Sequence, residues 1–123
     1  MKSSDLNLKL LEYLPEIENL YNEEVSWQDG NDTGSHIVFE DVLVPYIKKC
    51  AQENNASQLR KCFAVIERIF SFDDEYAEEV IELSVLESIL FSEADLRCEA
   101  EKYMENKTSQ SFAELKKLYG IAI

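Results

Sequence analysis

Apolar side chains recur at intervals of three and four along most of the chain, the spacing of one buried helix face, and no segment keeps up strand alternation. Leu6, Leu8, Leu10, Leu11 and Leu14 open a first helical region, with Ser3, Ser4 or Asp5 available as caps. Pro15 interrupts it. Because proline fits the first turn of a helix, residues 15–21 predict a new or kinked helix. Asp29, Gly30, Asn31, Asp32 and Gly34 gather turn formers between positions 26 and 35 and predict the longest loop.

Residues 37–53 predict the next helix, with Ile37, Val38, Val42, Leu43, Tyr46, Ile47 and Cys50 on its apolar side and Pro45 bending it. Asn54 and Asn55 break the pattern, and Ser57 is a candidate cap for a helix carrying Leu59, Cys62, Phe63, Ile66, Ile69 and Phe70. Asp73 and Asp74 introduce another over residues 75–91. Ser92 and Asp95 start one with Leu96, Ala100, Tyr103 and Met104. Ser109 or Ser111 starts the last, and Gly120 stands at its expected stop. Residues 64–70 weakly echo residues 84–90. The fold class expected is all-α: one domain over 1–123, with about six short helices in antiparallel pairs, as a compact bundle or a HEAT-like stack.

The length of 123 residues suits one core, and three Gly and two Pro are too few for most all-β designs. Lys and Arg number 12 against 25 Asp and Glu, a net charge of −13. Such a field opposes direct contact with nucleic-acid phosphates or an anionic membrane leaflet. The acid is uneven. Residues 73–106 hold 12 acidic and 2 basic residues, a net of −10, whereas residues 37–72 are at +1. On a wheel of about 100° per residue, Glu75, Glu78, Glu79 and Glu82 share one arc, with Tyr76, Val80 and Leu83 assigned to the other side. Each like-charged pair three or four apart costs about 0.2–0.5 kcal/mol, and nothing basic on that face relieves it. The ordinary reading is a solvated face. The sharper one is a docking surface that mimics phosphates for a basic protein.

Catalytic vocabulary is thin. The chain has one histidine, His36, and lacks the nucleophile-elbow, P-loop and dinucleotide glycine motifs, so it is not expected to be an enzyme and no cofactor is implied. His36, at a loop–helix junction, is expected to cap or pack. Cys50, Cys62 and Cys98 form no C-x-x-C pair and read as reduced, mostly buried thiols. The start of the chain holds no apolar run of the roughly 7–15 residues a signal requires, which makes the expected location cytoplasmic. Asp29, Asn31, Thr33, Gly34 and Glu40 fall at positions of a calcium-binding EF-hand loop, against the simpler alternative of a turn leading into the next helix. Trp27 precedes that loop. A lone tryptophan either covers the core or anchors a partner, and with Asp29 and Asp32 it is the second candidate interface after the glutamates.

Several phrases occur together: Leu11-Glu12-Tyr13-Leu14-Pro15-Glu16, Trp27-Gln28-Asp29-Gly30, and His36-Ile37-Val38-Phe39-Glu40-Asp41-Val42-Leu43-Val44-Pro45-Tyr46. Further on come Phe63-Ala64-Val65-Ile66-Glu67, Val85-Leu86-Glu87-Ser88-Ile89-Leu90 and Tyr103-Met104. As a set, over about Leu8 to Tyr119, the chain resembles a family of small, acidic, all-helical bacterial proteins of uncharacterised domain type. The resemblance implies a compact helical fold and carries over no catalytic residue. Similar proteins occur as immunity proteins beside polymorphic toxins, including contact-dependent inhibition systems with nuclease toxins.

Two functions from different classes stand at this point. One is an immunity protein that masks the cleft of a basic toxin domain, a ribonuclease, using Glu75, Glu78, Glu79 and Glu82 with a second contact at Trp27, Asp29 and Asp32. The other is a helical adaptor that holds another protein's helix.

Overall fold

Leu6, Leu10, Leu14 and Ile17 follow one another at helical spacing and are completely buried, so the first strip of core runs from the first helix into the turn that follows it. The computed structural model describes residues 1–121, and the last two positions of the expected 1–123 domain lie outside them. Among the described residues there are helices and no strand. Helix α1 spans Ser3–Tyr13, and α2 spans Glu18–Val25 after a 3-10 turn at Pro15–Ile17. Helix α3 runs over 35–52, α4 over Ala56–Phe70 and α5 over 75–90. Helix α6 spans Ala94–Glu101 and α7 spans Asn106–Leu118.

Helices α3, α4 and α5 run up, down and up, with α3 and α4 joined at Asn54 and Asn55. Asn54 takes a left-handed φ of 54°, and the Asn55 side chain accepts from the Gln58 N–H at 3.2 Å. The cap is therefore Asn55 rather than Ser57. Asp74 caps α5 as expected, accepting from the Ala77 N–H at 2.9 Å. The link between α4 and α5 turns at Asp73, with φ 58°. Helix α7 closes in a two-bond cap: the Ile121 N–H donates to Lys116 O and the Gly120 N–H to Lys117 O, with Gly120 at φ 68°.

Two helices carry a wide π-type turn. In α3 it covers Phe39–Leu43, and the Val44 N–H donates to Phe39 O five residues back. The wide turn lies where the ring of Pro45 would otherwise crowd the carbonyl of Asp41, so the helix continues past its proline. In α5 it covers Val80–Leu86, with the Glu87 N–H donating to Glu82 O. The two turns pack against each other. The one in α5 changes which side is buried. On a straight helix Leu86 would lie about 20° from Glu75, inside the acidic arc. A wide turn holds more residues per revolution, so later side chains lag, and Val85, Leu86, Ile89 and Leu90 all reach the core. Leu83, assigned to the inner side on a straight wheel, is instead 48% exposed.

The echoing segments occupy matching positions. Val65, Ile66, Ile69 and Phe70 on α4 are buried, as are the four aligned residues on α5. Phe112 of α7 and Phe39 of α3 complete the core. Helix α5 is central, since outside its first turns it has little free surface.

Candidate partner-binding surface

Asn7 is completely buried on α1, yet every one of its polar groups is used. Its amide donates to Thr33 O at 2.7 Å and Asn31 O at 3.2 Å, and its oxygen accepts from Ser35 Oγ at 2.8 Å. Ser35 Oγ also faces Ser3 O at 3.1 Å, and Ser3 Oγ pairs with the Tyr76 hydroxyl at 2.8 Å. A polar chain thus ties the loop before α3 to α1, and α1 to α5. Buried polar groups satisfied in this way hold one geometry, because any other leaves a group unpaired.

The same loop is braced from within. The Tyr21 hydroxyl donates to Asn31 Oδ1 at 2.8 Å, Thr33 Oγ1 donates to Gly30 O at 2.7 Å, and the Asp29 N–H donates to Thr33 Oγ1 at 3.1 Å. These bonds engage Asn31 Oδ1 and Thr33 Oγ1, two of the oxygens that an EF-hand loop would turn toward calcium. Among the described residues no group of three or more His, Cys, Asp or Glu side chains is arranged to hold a metal. The loop is a braced turn leading into α3, which begins at Ser35.

Above this frame stands Trp27, which is 69% exposed. It does not cover the core. Asp29 and Asp32 beside it are exposed as well. Gln28 donates to the Glu24 carboxylate at 3.2 Å, and Glu24 belongs to a further acidic group with Glu40 and Asp41. Burial first, then the charges of Glu24 and Glu40, push the Asp41 carboxyl above its usual range. This group was hidden in the sequence, because its members come from two helices and residues 37–72 balance to +1.

The glutamate row on α5 is divided. Glu75 and Glu79 are exposed. Glu78 is paired with Lys107 of α7, whose ammonium also donates to Phe70 O at 2.9 Å and lies 4.7 Å from the Phe70 ring centre. The expectation that no base relieves the row is corrected on this point, since the relief comes from a helix 29 residues away. Glu82 is half-buried. Burial, and then the neighbouring Glu78 and Glu114, raise its carboxyl despite Lys107.

His36 joins the two candidate regions. Its Nδ1 lies 2.6 Å from Ser84 Oγ, its Nε2 lies 3.5 Å from Glu79 Oε1, and the Tyr76 ring meets it edge-on at 5.7 Å. The Ser84 hydroxyl and the Glu79 carboxylate thus lie at the two ring nitrogens of His36. Ser84 is 4% exposed, so its hydroxyl is covered and the contact packs α3 on α5. Because His36 directly follows the Trp27 loop, that loop and the exposed Glu79 lie on adjoining parts of one end of the molecule. Of the thiols, Cys50 and Cys62 are buried and Cys98 is exposed. Burial pushes Cys62 up to about 12, which suits an unreactive core thiol.

A family model described as a domain of unknown function, DUF7674, matches residues 7–120. The chain belongs to this family. The DUF7674 match opens at the buried Asn7 and closes at the Gly120 helix stop, so the braced loop, the divided glutamate row and the Lys107 contacts all lie within it. The sequence resemblance holds at the level of an uncharacterised all-helical family. No curated protein and no solved structure matches the chain. Among the described residues of this DUF7674 member, no helix is long and apolar enough to cross a membrane.

Proposed function

We propose that this protein binds and neutralises a basic toxin domain, a ribonuclease, by covering its substrate cleft. The observation that carries the reading is Trp27, the chain's one tryptophan, which stands 69% exposed on a loop braced by Asn7, Tyr21 and Thr33. An exposed tryptophan adds little to the stability of its own fold. Fixed in place beforehand, it serves as an interface anchor, because little ordering remains to be done on binding.

Charge supports the same reading. A cleft that holds nucleic-acid phosphates is cationic, and a cover carrying −13 is drawn to it and selects against acidic proteins. Asp29 and Asp32 in the Trp27 loop, with Glu75 and Glu79 on α5, would stand in for phosphates. Glu78 and Glu82 would act from behind, one held by Lys107 and the other half-buried. The toxin, the bacterial cytoplasm and the contact-dependent setting come from the resemblance to immunity proteins described above.

The test is to look for a toxin gene adjacent to this one, purify the toxin domain it encodes and follow association by stopped flow. A neighbourhood and a native-cell pull-down that both lack a basic toxin overturn the reading. Changing Glu75 and Glu79 together to lysine should slow association at least about tenfold at low salt, and much less at high salt. An unchanged rate removes these carboxylates from the surface.

A further inference from the structure

The far end of the α3–α5 pair carries a second surface. The two helices run side by side in the same sense, so about 22 Å of helix separates Ala51 from His36. Between the last turn of α3 and the start of α6 lies a groove of about 620 Å³. Ala51, Phe91 and Leu96 give it an apolar lining, Glu93, Asp95 and Glu99 an acidic one, and Lys48 is the base among the residues that line it.

Phe91 is 60% exposed, and Tyr119 meets it edge-on at 4.9 Å, so the aromatic edge is held rather than loose. Leu118, the residue before Tyr119, is 74% exposed. Apolar surface in one place, rimmed by three carboxylates against one lysine, marks an interaction site and states what its occupant carries. A second copy of the chain is a poor occupant, since it brings another −13 to the same rim.

We propose that this groove receives an amphipathic segment of another protein, rich in lysine or arginine, with one apolar side chain set on Phe91 and Leu96. Its cations meet Glu93, Asp95 and Glu99. The site is distinct from the Trp27 end, and each stands if the other fails.

The test uses a synthetic amphipathic peptide of leucine and lysine, titrated into the whole protein. Binding is read by fluorescence anisotropy and by amide shift changes. Shifts centred on Ala51, Phe91 and Leu96 are expected. Phe91→Ala, and separately Glu93→Gln with Asp95→Asn, should weaken binding by about tenfold. Glu75→Gln with Glu79→Gln, at the other end, should change it less than about twofold. Circular dichroism checks that the exposed-site variants remain folded. Equal loss at both ends, or affinity indifferent to Phe91→Ala, overturns the proposal. So does self-association of the unmodified protein in sedimentation that Phe91→Ala abolishes, since the groove would then belong to a second copy.

Discussion

The carboxylate of Glu67, on α4, accepts from the backbone N–H of Thr108 at 2.9 Å and from the Thr108 hydroxyl at 2.8 Å. It also accepts from the Lys107 N–H at 3.1 Å. Helix α7 therefore receives its N-terminal cap from a residue 41 positions earlier in the chain. A carboxylate at that end satisfies two free donors and faces the positive end of the helix dipole.

Replacing Glu67 by alanine should destabilise the protein by about 1–3 kcal/mol in chemical denaturation at neutral pH. Burial alone would raise the Glu67 carboxyl, but the bonds from Thr108 and Lys107 outweigh it and leave it below the usual range. A lowered pKa gives stability that is present above the unfolded value, about 4.3, and is lost as pH falls through the folded one. The gap between the native protein and Glu67→Ala should accordingly narrow below about pH 4.

This cap also shows why part of the fold could not be read locally. The Asp74 cap and the Gly120 stop lie next to the turns they finish, and both were legible. The start of α7 was placed at Ser109 or Ser111 because its true cap, Glu67, is remote in sequence. Leu83 was misjudged because a fixed rotation per residue takes no account of the wide turn at Val80–Leu86. Asn7 carried no signal, since a lone polar residue among leucines reads as the solvent side. At the candidate site the exposed acids were visible on the helical wheel, but the Lys107 pairing and the Glu24, Glu40 and Asp41 group arise only when helices meet.

Glu82 has the opposite linkage to Glu67. Its raised carboxyl favours folding below the unfolded pKa, and that contribution disappears as pH rises through the folded value. Glu82→Gln should therefore stabilise the protein at neutral pH. Removing the repulsion with Glu78, four residues away, is worth about 0.2–0.5 kcal/mol by itself. The gain should vanish below about pH 4 in thermal melts taken across the pH range.

Lys107 should behave as a joint. Changing it to methionine removes the partner of Glu78 and the donor to Phe70 O. A double-mutant cycle with Glu78→Gln should give a coupling on the order of 0.5–1 kcal/mol. Additive effects would mean that the pair contributes nothing beyond its separate packing.

Asn7→Ala should cost about 1–3 kcal/mol, because the carbonyls of Asn31 and Thr33 and the hydroxyl of Ser35 lose their partner. Amide hydrogen exchange should rise first across residues 29–35. Rigidity at Trp27 is central to the proposed anchor, so partner affinity should fall in this variant although Asn7 itself is buried.

The direct measurement is calorimetric titration of the proposed toxin domain with the native protein and with Trp27→Ala. The side chain is exposed, so thermal stability should stay within about 0.5 kcal/mol of native. Affinity should fall by about thirtyfold or more, the loss of roughly 2 kcal/mol that marks an interface anchor, and should weaken steeply with salt. An affinity that Trp27→Ala leaves untouched, at any salt, would contradict the account.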